Sequence, residues 1–240
     1  MKISQLFISL FSYLIGTAMG LFLILTITWA DMEAASYGFS RLASPGLGGF
    51  RCPAWMSRTE TNRIALKISN TTDGPLRPAI RTQISTPGIQ KEILESVQLA
   101  PGESKRLEWE VGPENIDLEH FIFAKSMVYS AYPLPSRETT CGIYIIDLPG
   151  RGEVILPVLI GLSLLGMGWG LYGMKKWGHS NAWVSKNDRI LAFLAILVAL
   201  GFVLSLRIGW LPGVLVLVPA LFVITILLGS LSVSESWSSN

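Results

Sequence analysis

Asp, Glu, Lys, Arg and His are missing from four long stretches of this chain, residues 6–29, 154–174, 190–206 and 211–231, and the 240 residues hold only two histidines and two cysteines. These scarcities exclude several kinds of chemistry. The histidines, His120 and His179, stand outside the apolar stretches, so imidazole cannot ligate a haem within them. Ion and proton pathways usually carry intramembrane ionisable groups, whereas here the stretches offer only hydroxyls such as Ser12, Tyr13, Ser163 and Thr225. No Gly-x-Ser-x-Gly elbow or Ser-x-x-Lys motif presents a nucleophile, and no glycine loop is built for phosphate. Glu119 beside His120 is the nearest thing to an acid–base pair, but neighbours on a strand point to opposite faces. The expectation is a non-enzymatic protein with no catalytic residue, cofactor or metal.

Greasy length is what the chain has instead. A bilayer core about 30 Å thick takes about 20 helical residues at about 1.5 Å each, and all four stretches come close to that. In hydrocarbon the backbone must bond within its own segment, which makes each stretch a helix. Trp29, Trp169, Trp177, Trp183 and Trp210 fall at or near the expected helix ends, where an amphipathic indole favours the interface. The first stretch ends in Thr28-Trp29-Ala30, a pattern like a small-residue cleavage site, yet its apolar run far exceeds the roughly 7–15 residues of a signal core. We therefore expect a retained signal anchor.

Orientation follows from the loops, because short cytoplasmic loops collect Lys and Arg. The connection 175–189 carries Lys175, Lys176, Lys186 and Arg189 against Asp188 and is expected in the cytoplasm, together with both termini. Residues 31–152 then lie outside. Residues 30–152 hold 13 Lys and Arg against 14 Asp and Glu, a net charge of −1 that gives nucleic acid no electrostatic footing. The expected organisation is transmembrane helix 1 in 1–30, a linker in 31–49, a β domain in 50–150, a three-helix region in 151–232 and a cytoplasmic tail in 233–240.

The outer segment reads as strands. Ile64, Leu66 and Ile68 alternate with polar or small residues, as do Leu107, Trp109 and Val111, and period two with one apolar face is a strand signal. Residues 80–84, 97–99, 121–132 and 141–146 supply further candidates. Between them, residues 70–74, 86–88 and 100–102 hold the Asn, Pro and Gly of tight turns. The stretch 63–84, followed by 99–111, resembles Ig-like sandwich modules of bacterial envelope proteins, over roughly residues 50–148. That resemblance implies an antiparallel β-sandwich inserted between helices 1 and 2, and a tendency to bind proteins or glycans. It also brings the first and last strands together, so in an oxidising outer compartment Cys52 and Cys141 are expected to form a disulfide, the alternative being two buried thiols.

Two further patterns remain. Gly16-x-x-x-Gly20 and Gly166-x-x-x-Gly170 each put two hydrogens on one helical face, where backbones can approach closely, either against a partner or within the protein's own bundle. Asn70-Thr71-Thr72 matches a glycosylation sequon, and in a bacterium it is only a turn.

The sequence as a whole points to an α+β integral membrane protein of a bacterial plasma membrane. We expect an accessory or scaffold subunit that packs its helices in the lipid bilayer against other membrane-protein subunits and docks them with its outer sandwich. The alternative is a cell-surface binding or sensing protein whose sandwich captures a ligand, glycan or peptide. A reporter active only outside the cytoplasm should light up when fused within residues 50–148 and stay dark when fused in the connection 175–189. The opposite pattern would invert the orientation.

Overall fold

The computed structural model describes residues 2–39, 44–88, 90–129, 135–178 and 181–238. His179 lies outside the described residues, as do parts of the expected linker and of the strand candidate 121–132. In chain order the described residues form helix α1 (Lys2–Ser36), nine strands and a short 3-10 turn, then helices α2 (Gly152–Trp177), α3 (Ala182–Arg207) and α4 (Trp210–Ser238). Four helices are long and apolar enough to cross a membrane, over Ser4–Ser36, Gly152–Trp177, Trp183–Arg207 and Trp210–Ser230. The chain divides into two compact units, one of Met1–Thr28 with Leu156–Asn240, the other of Trp29–Ile155.

In the helical unit, α1 and α2 meet where side chains are smallest. A β-carbon on Gly16 would stand 2.7 Å from the Met167 nitrogen and 2.7 Å from the Ser163 carbonyl oxygen. One on Gly170 would stand 2.7 Å from the Ser9 carbonyl oxygen. Hydroxyls bond across the seam in both directions, Ser163 Oγ donating to the Gly16 carbonyl at 2.7 Å and Ser12 Oγ to the Gly166 carbonyl at 3.1 Å. Gly20 leaves room for Val198 of α3, to which α1 is also tied by Tyr13 Oη donating to the Leu191 carbonyl at 2.7 Å. Both glycine faces are thus occupied within the chain's own bundle. Lipid offers no hydrophobic drive for association, so this close packing with its hydrogen bonds is what holds such helices together.

Three expected boundaries move. The last residues of the connection 175–189 are helical, because Asn181 caps α3, its Oδ1 accepting from the Val184 amide at 3.1 Å. The expected tail is helical as far as Ser238, since adding a turn to an existing helix costs far less than starting one. The expected linker 31–49 is helical through Ser36 and returns as strand at Ser44–Pro45. Ala30 and Ala34, four residues apart on one helical face, lie flat on Phe121 and Phe123, which extends α1 past its apolar run.

The second unit is built from β1 (Ser44–Pro45), β2 (Phe50–Arg51), β3 (Trp55–Ser57), β4 (Asn62–Ser69), β5 (Ala79–Ile84), β6 (Lys91–Ser96), β7 (Ser104–Val111), β8 (Phe121–Val128) and β9 (Arg137–Ile146). One sheet runs β1-β9-β8-β5-β6 with β3 also on β9, and the other β2-β4-β7. Both feed one core, with Ile64, Leu66 and Trp109 from the smaller sheet and Ile80, Ile122 and Ile143 from the larger. The larger sheet is mixed, which corrects the all-antiparallel expectation: β1 and β3 pair parallel with β9. Residues 97–99 form no strand among the described residues, contributing only the bridge Leu76 to Leu99, while the charged segment β6 does. Strand β8 is covered on both sides, Ile122 and Ala124 facing the core and Phe121 and Phe123 meeting the end of α1.

Substituting Gly16→Ala should lower the thermal midpoint of the full chain in detergent, by an amount equivalent to about 1–3 kcal/mol, because backbone atoms opposite the new methyl cannot step aside. An unchanged midpoint would show that the seam between α1 and α2 is not as close as described.

Candidate functional site

Strand β9 positions most of what matters in the β unit. Cys141 on its core face is bonded to Cys52, with Cα atoms 6.4 Å apart across a sequence separation of 89. Closing a loop of that length removes about 4–5 kcal/mol of conformational freedom from the unfolded chain in the chain-entropy account. On the opposite face, a β-carbon on Gly142 would collide with the Ala30 carbonyl, so glycine is needed there, and its amide donates to Asp31 Oδ1 at 3.0 Å. Further along the strand, Glu138 accepts an ion-pair contact from Lys125 of β8 at 2.9 Å, both side chains almost fully buried. Breaking such a pair leaves one charge stranded out of water, which typically costs about 3–5 kcal/mol.

The sequence's acid–base candidate dissolves into a loop. Leu118 and Glu119 adopt left-handed backbone angles, φ 46° and 66°, and the His120 ring lies 6.4 Å from that of Tyr144. Arg58 holds this loop from the side, donating to the Glu119 carbonyl at 3.3 Å and to Asp147 Oδ1 at 2.5 Å. The Arg58 guanidinium keeps the Asp147 carboxyl below its usual range. Nearby, Tyr37 donates to Asp117 Oδ2, and burial followed by that carboxylate pushes the phenol up to about 12, so Tyr37 stays neutral as a donor. Among the described residues no group of three or more His, Cys, Asp or Glu is placed to hold a metal ion.

A concavity lies elsewhere in the unit. A cleft of about 560 Å³ opens between the two sheets where β4 and β8 end and β9 begins. Its floor is the buried pair Leu76 and Leu99, and one wall is the segment 46–49, in which Gly46 and Gly49 take φ of 110° and 84°. That wall carries the chain from one sheet to the other. The Gly46 and Leu47 amides donate to the Glu138 carbonyl at 3.1 and 3.2 Å, and the Lys67 amide to the Gly49 carbonyl at 3.0 Å. The charged lining residues are Lys67 and Arg137, both exposed, and Ser69, Thr71 and Tyr129 add hydroxyls. Since ten strand residues span about 30 Å, Arg137 at the start of β9 lies far from Ile146 at its end, and so from Gly152, whose amide donates to Glu60 Oε2 at 2.7 Å. Sequence reading missed the cleft because its parts come from five separate segments. The glycines at 46, 48 and 49 were the one local signal, and they read as linker.

Beside the cleft, Asn70 is 1 % exposed, and its amide nitrogen donates to the carbonyls of Gly74, Leu99 and Ala100 at 2.8, 3.2 and 3.0 Å. Its oxygen accepts from the Thr72 amide and hydroxyl. The nitrogen that a glycan would need is buried and committed, which makes the sequon a turn.

No protein-family model matches the chain, and no curated protein matches it. Solved structures do show partial likeness. The CARDB domain of a Pyrococcus furiosus protein, solved with di-metal ions, matches with 16% identity over 45% of this chain and 95% of that one, at a TM-score of 0.33. A β-glucuronidase of Bacteroides uniformis matches with 14% identity over 36% of this chain and 12% of that one, at 0.30. A β-glucosidase of Erythrobacter marinus matches with 20% identity over 46% and 18%, also at 0.30. The chain spans about a tenth of the length of the glucuronidases it matches. Likeness at these scores bears on neither activity nor partners.

Mass spectrometry of peptides spanning Asn70 should find the unmodified asparagine even in a glycosylating host. Asn70→Ala should destabilise the full chain by about 2–3 kcal/mol, as its buried carbonyl partners lose their donors. A glycan on Asn70 would contradict the turn geometry.

Proposed function

We propose that this chain is a non-enzymatic accessory subunit of a larger integral-membrane complex, anchored by four helices and docking a partner through the cleft of an Ig-like β-sandwich on the extracytoplasmic side. The observation that carries this reading is the cleft itself. It has an apolar floor and a polar rim, its volume falls in the range of about 300–1,000 Å³ typical of binding pockets, and it lies at the end of the β unit remote from Gly152. The two sheets around one core support the Ig-like assignment, and the disulfide supports an oxidising compartment. The basic residues around the α2–α3 connection support a cytoplasmic position for it and, with it, a bacterial plasma-membrane orientation in which both termini are inside.

Internal use of the glycine faces shifts the weight of partner recognition from the helices to the β unit. Lateral packing in the bilayer falls to exposed apolar side chains such as Phe222, Leu215 and Ile196, which lipid also suits. The same cleft serves the alternative, a cell-surface protein that captures a ligand, glycan or peptide and signals through a partner.

Replacing Thr71, exposed at the cleft, with a photo-crosslinking amino acid tests the proposal in native membranes. Illumination should yield an adduct containing a second membrane protein. Adducts containing only a soluble molecule would favour the alternative, and the absence of any adduct would count against both.

A further inference from the structure

The charged residues that line the cleft are of one sign. Five of the twelve described bases in this unit pair with a carboxylate, Arg58 with Asp147, Arg63 and Arg106 with Glu108, Arg81 with Glu92, and Lys125 with Glu138, and seven form no ion pair. Lys67 and Arg137 reach the cleft from opposite sheets, and among the described residues neither forms an ion pair. The polar contact of the Arg137 side chain is a long one, Nη1 to the Gly46 carbonyl at 3.5 Å. Among the described residues no lining residue is acidic. Two unpaired cations above a floor of Leu76 and Leu99 make a site for an anion joined to an apolar body.

The remaining wall narrows the class. Three of the four residues 46–49 are glycines that present backbone, and a β-carbon at Gly46 or Gly48 would meet open space. Gly48 makes no hydrogen bond among the described residues, so its amide and carbonyl are available to an extended main chain in the manner of strand addition. Saccharide recognition leans on aromatic platforms, and among the described residues no tryptophan lines the cleft and Tyr129 is its one aromatic.

We propose that the cleft captures an extended acidic peptide segment, whose carboxylate is held by Lys67 and Arg137, whose apolar side chain rests on Leu76 and Leu99, and whose backbone runs along residues 46–49. This rests on the docking role proposed above and names the chemistry of the docked segment. Both cations make charge-assisted hydrogen bonds to a carboxylate, and the planar guanidinium adds a two-pronged fork that an ammonium lacks, which makes Arg137 the stronger determinant.

The test uses the full chain in lipid nanodiscs and a phage library of random dodecapeptides, with hits resynthesised for fluorescence anisotropy. Enriched sequences should carry Asp or Glu beside an aliphatic residue. Their affinity should fall at least tenfold with Lys67→Glu and Arg137→Glu together, fall less with Arg137→Gln, and weaken as salt rises. Both side chains are exposed, so an unchanged thermal midpoint verifies that the variants fold. Enrichment without acidic residues, affinity indifferent to charge reversal, or retention of acidic oligosaccharides on a glycan array with no peptide selected would each overturn the assignment. A Thr71 adduct with a membrane protein alongside any of those results would leave the docking role standing and remove only the acidic-peptide chemistry.

Discussion

Polar groups taken out of water must find partners, and this constraint shapes both units of the chain. Among the apolar helices it is met by serines and a tyrosine that donate to carbonyls of neighbouring helices, and by Thr28 Oγ1 lying 3.3 Å from Ser205 Oγ. In the β unit, Ser85 and Asn115 satisfy each other, Ser85 Oγ donating to the Asn115 carbonyl at 2.8 Å and Asn115 Nδ2 to the Ser85 carbonyl at 3.1 Å. Asn70 closes a turn in the same way. A buried donor left unmet costs about 1–3 kcal/mol, so each of these pairings selects one arrangement of its surroundings over the alternatives.

Legibility in the sequence followed the range of the interactions involved. Helix-forming stretches declare themselves locally, since about 20 residues without charge have few other uses, and the strands of Ile64 and Trp109 declare themselves by alternation. What escaped reading depends on residues far apart in the chain. The run of buried positions in β8 exists because the end of α1 covers Phe121 and Phe123, which no pattern inside β8 reveals. The ion pair of Lys125 with Glu138 looks, residue by residue, like two solvated charges. Residues 31–36 carry Asp, Met, Glu and Ala, all compatible with helix, but their composition resembles a linker until the aromatic surface they rest on is known.

The glycines teach the same lesson from two directions. In the helices, Gly16 and Gly166 are spaced so that either a partner or the chain itself could use them, and only the folded bundle decides between the two. In the β unit, the glycines of 46–49 resemble flexible spacer, yet they form a backbone wall joining both sheets, with Lys67 and Gly49 bonded across it. The candidate site was therefore visible in the sequence only as an excess of glycine, and its charges only as two among many.

The position of the disulfide carries a mechanical consequence. The β unit begins at Trp29 and ends at Ile155, so a pull applied to those two ends reaches the sulfur bridge after residue 52 and leaves it at residue 141. Tension is then borne by the two flanks and one covalent bond, while strands β3 to β8 hang slack between them. A pull on the two ends of this unit therefore loads residues 46–49, the glycine wall of the cleft, and spares the strands inside the bridged loop.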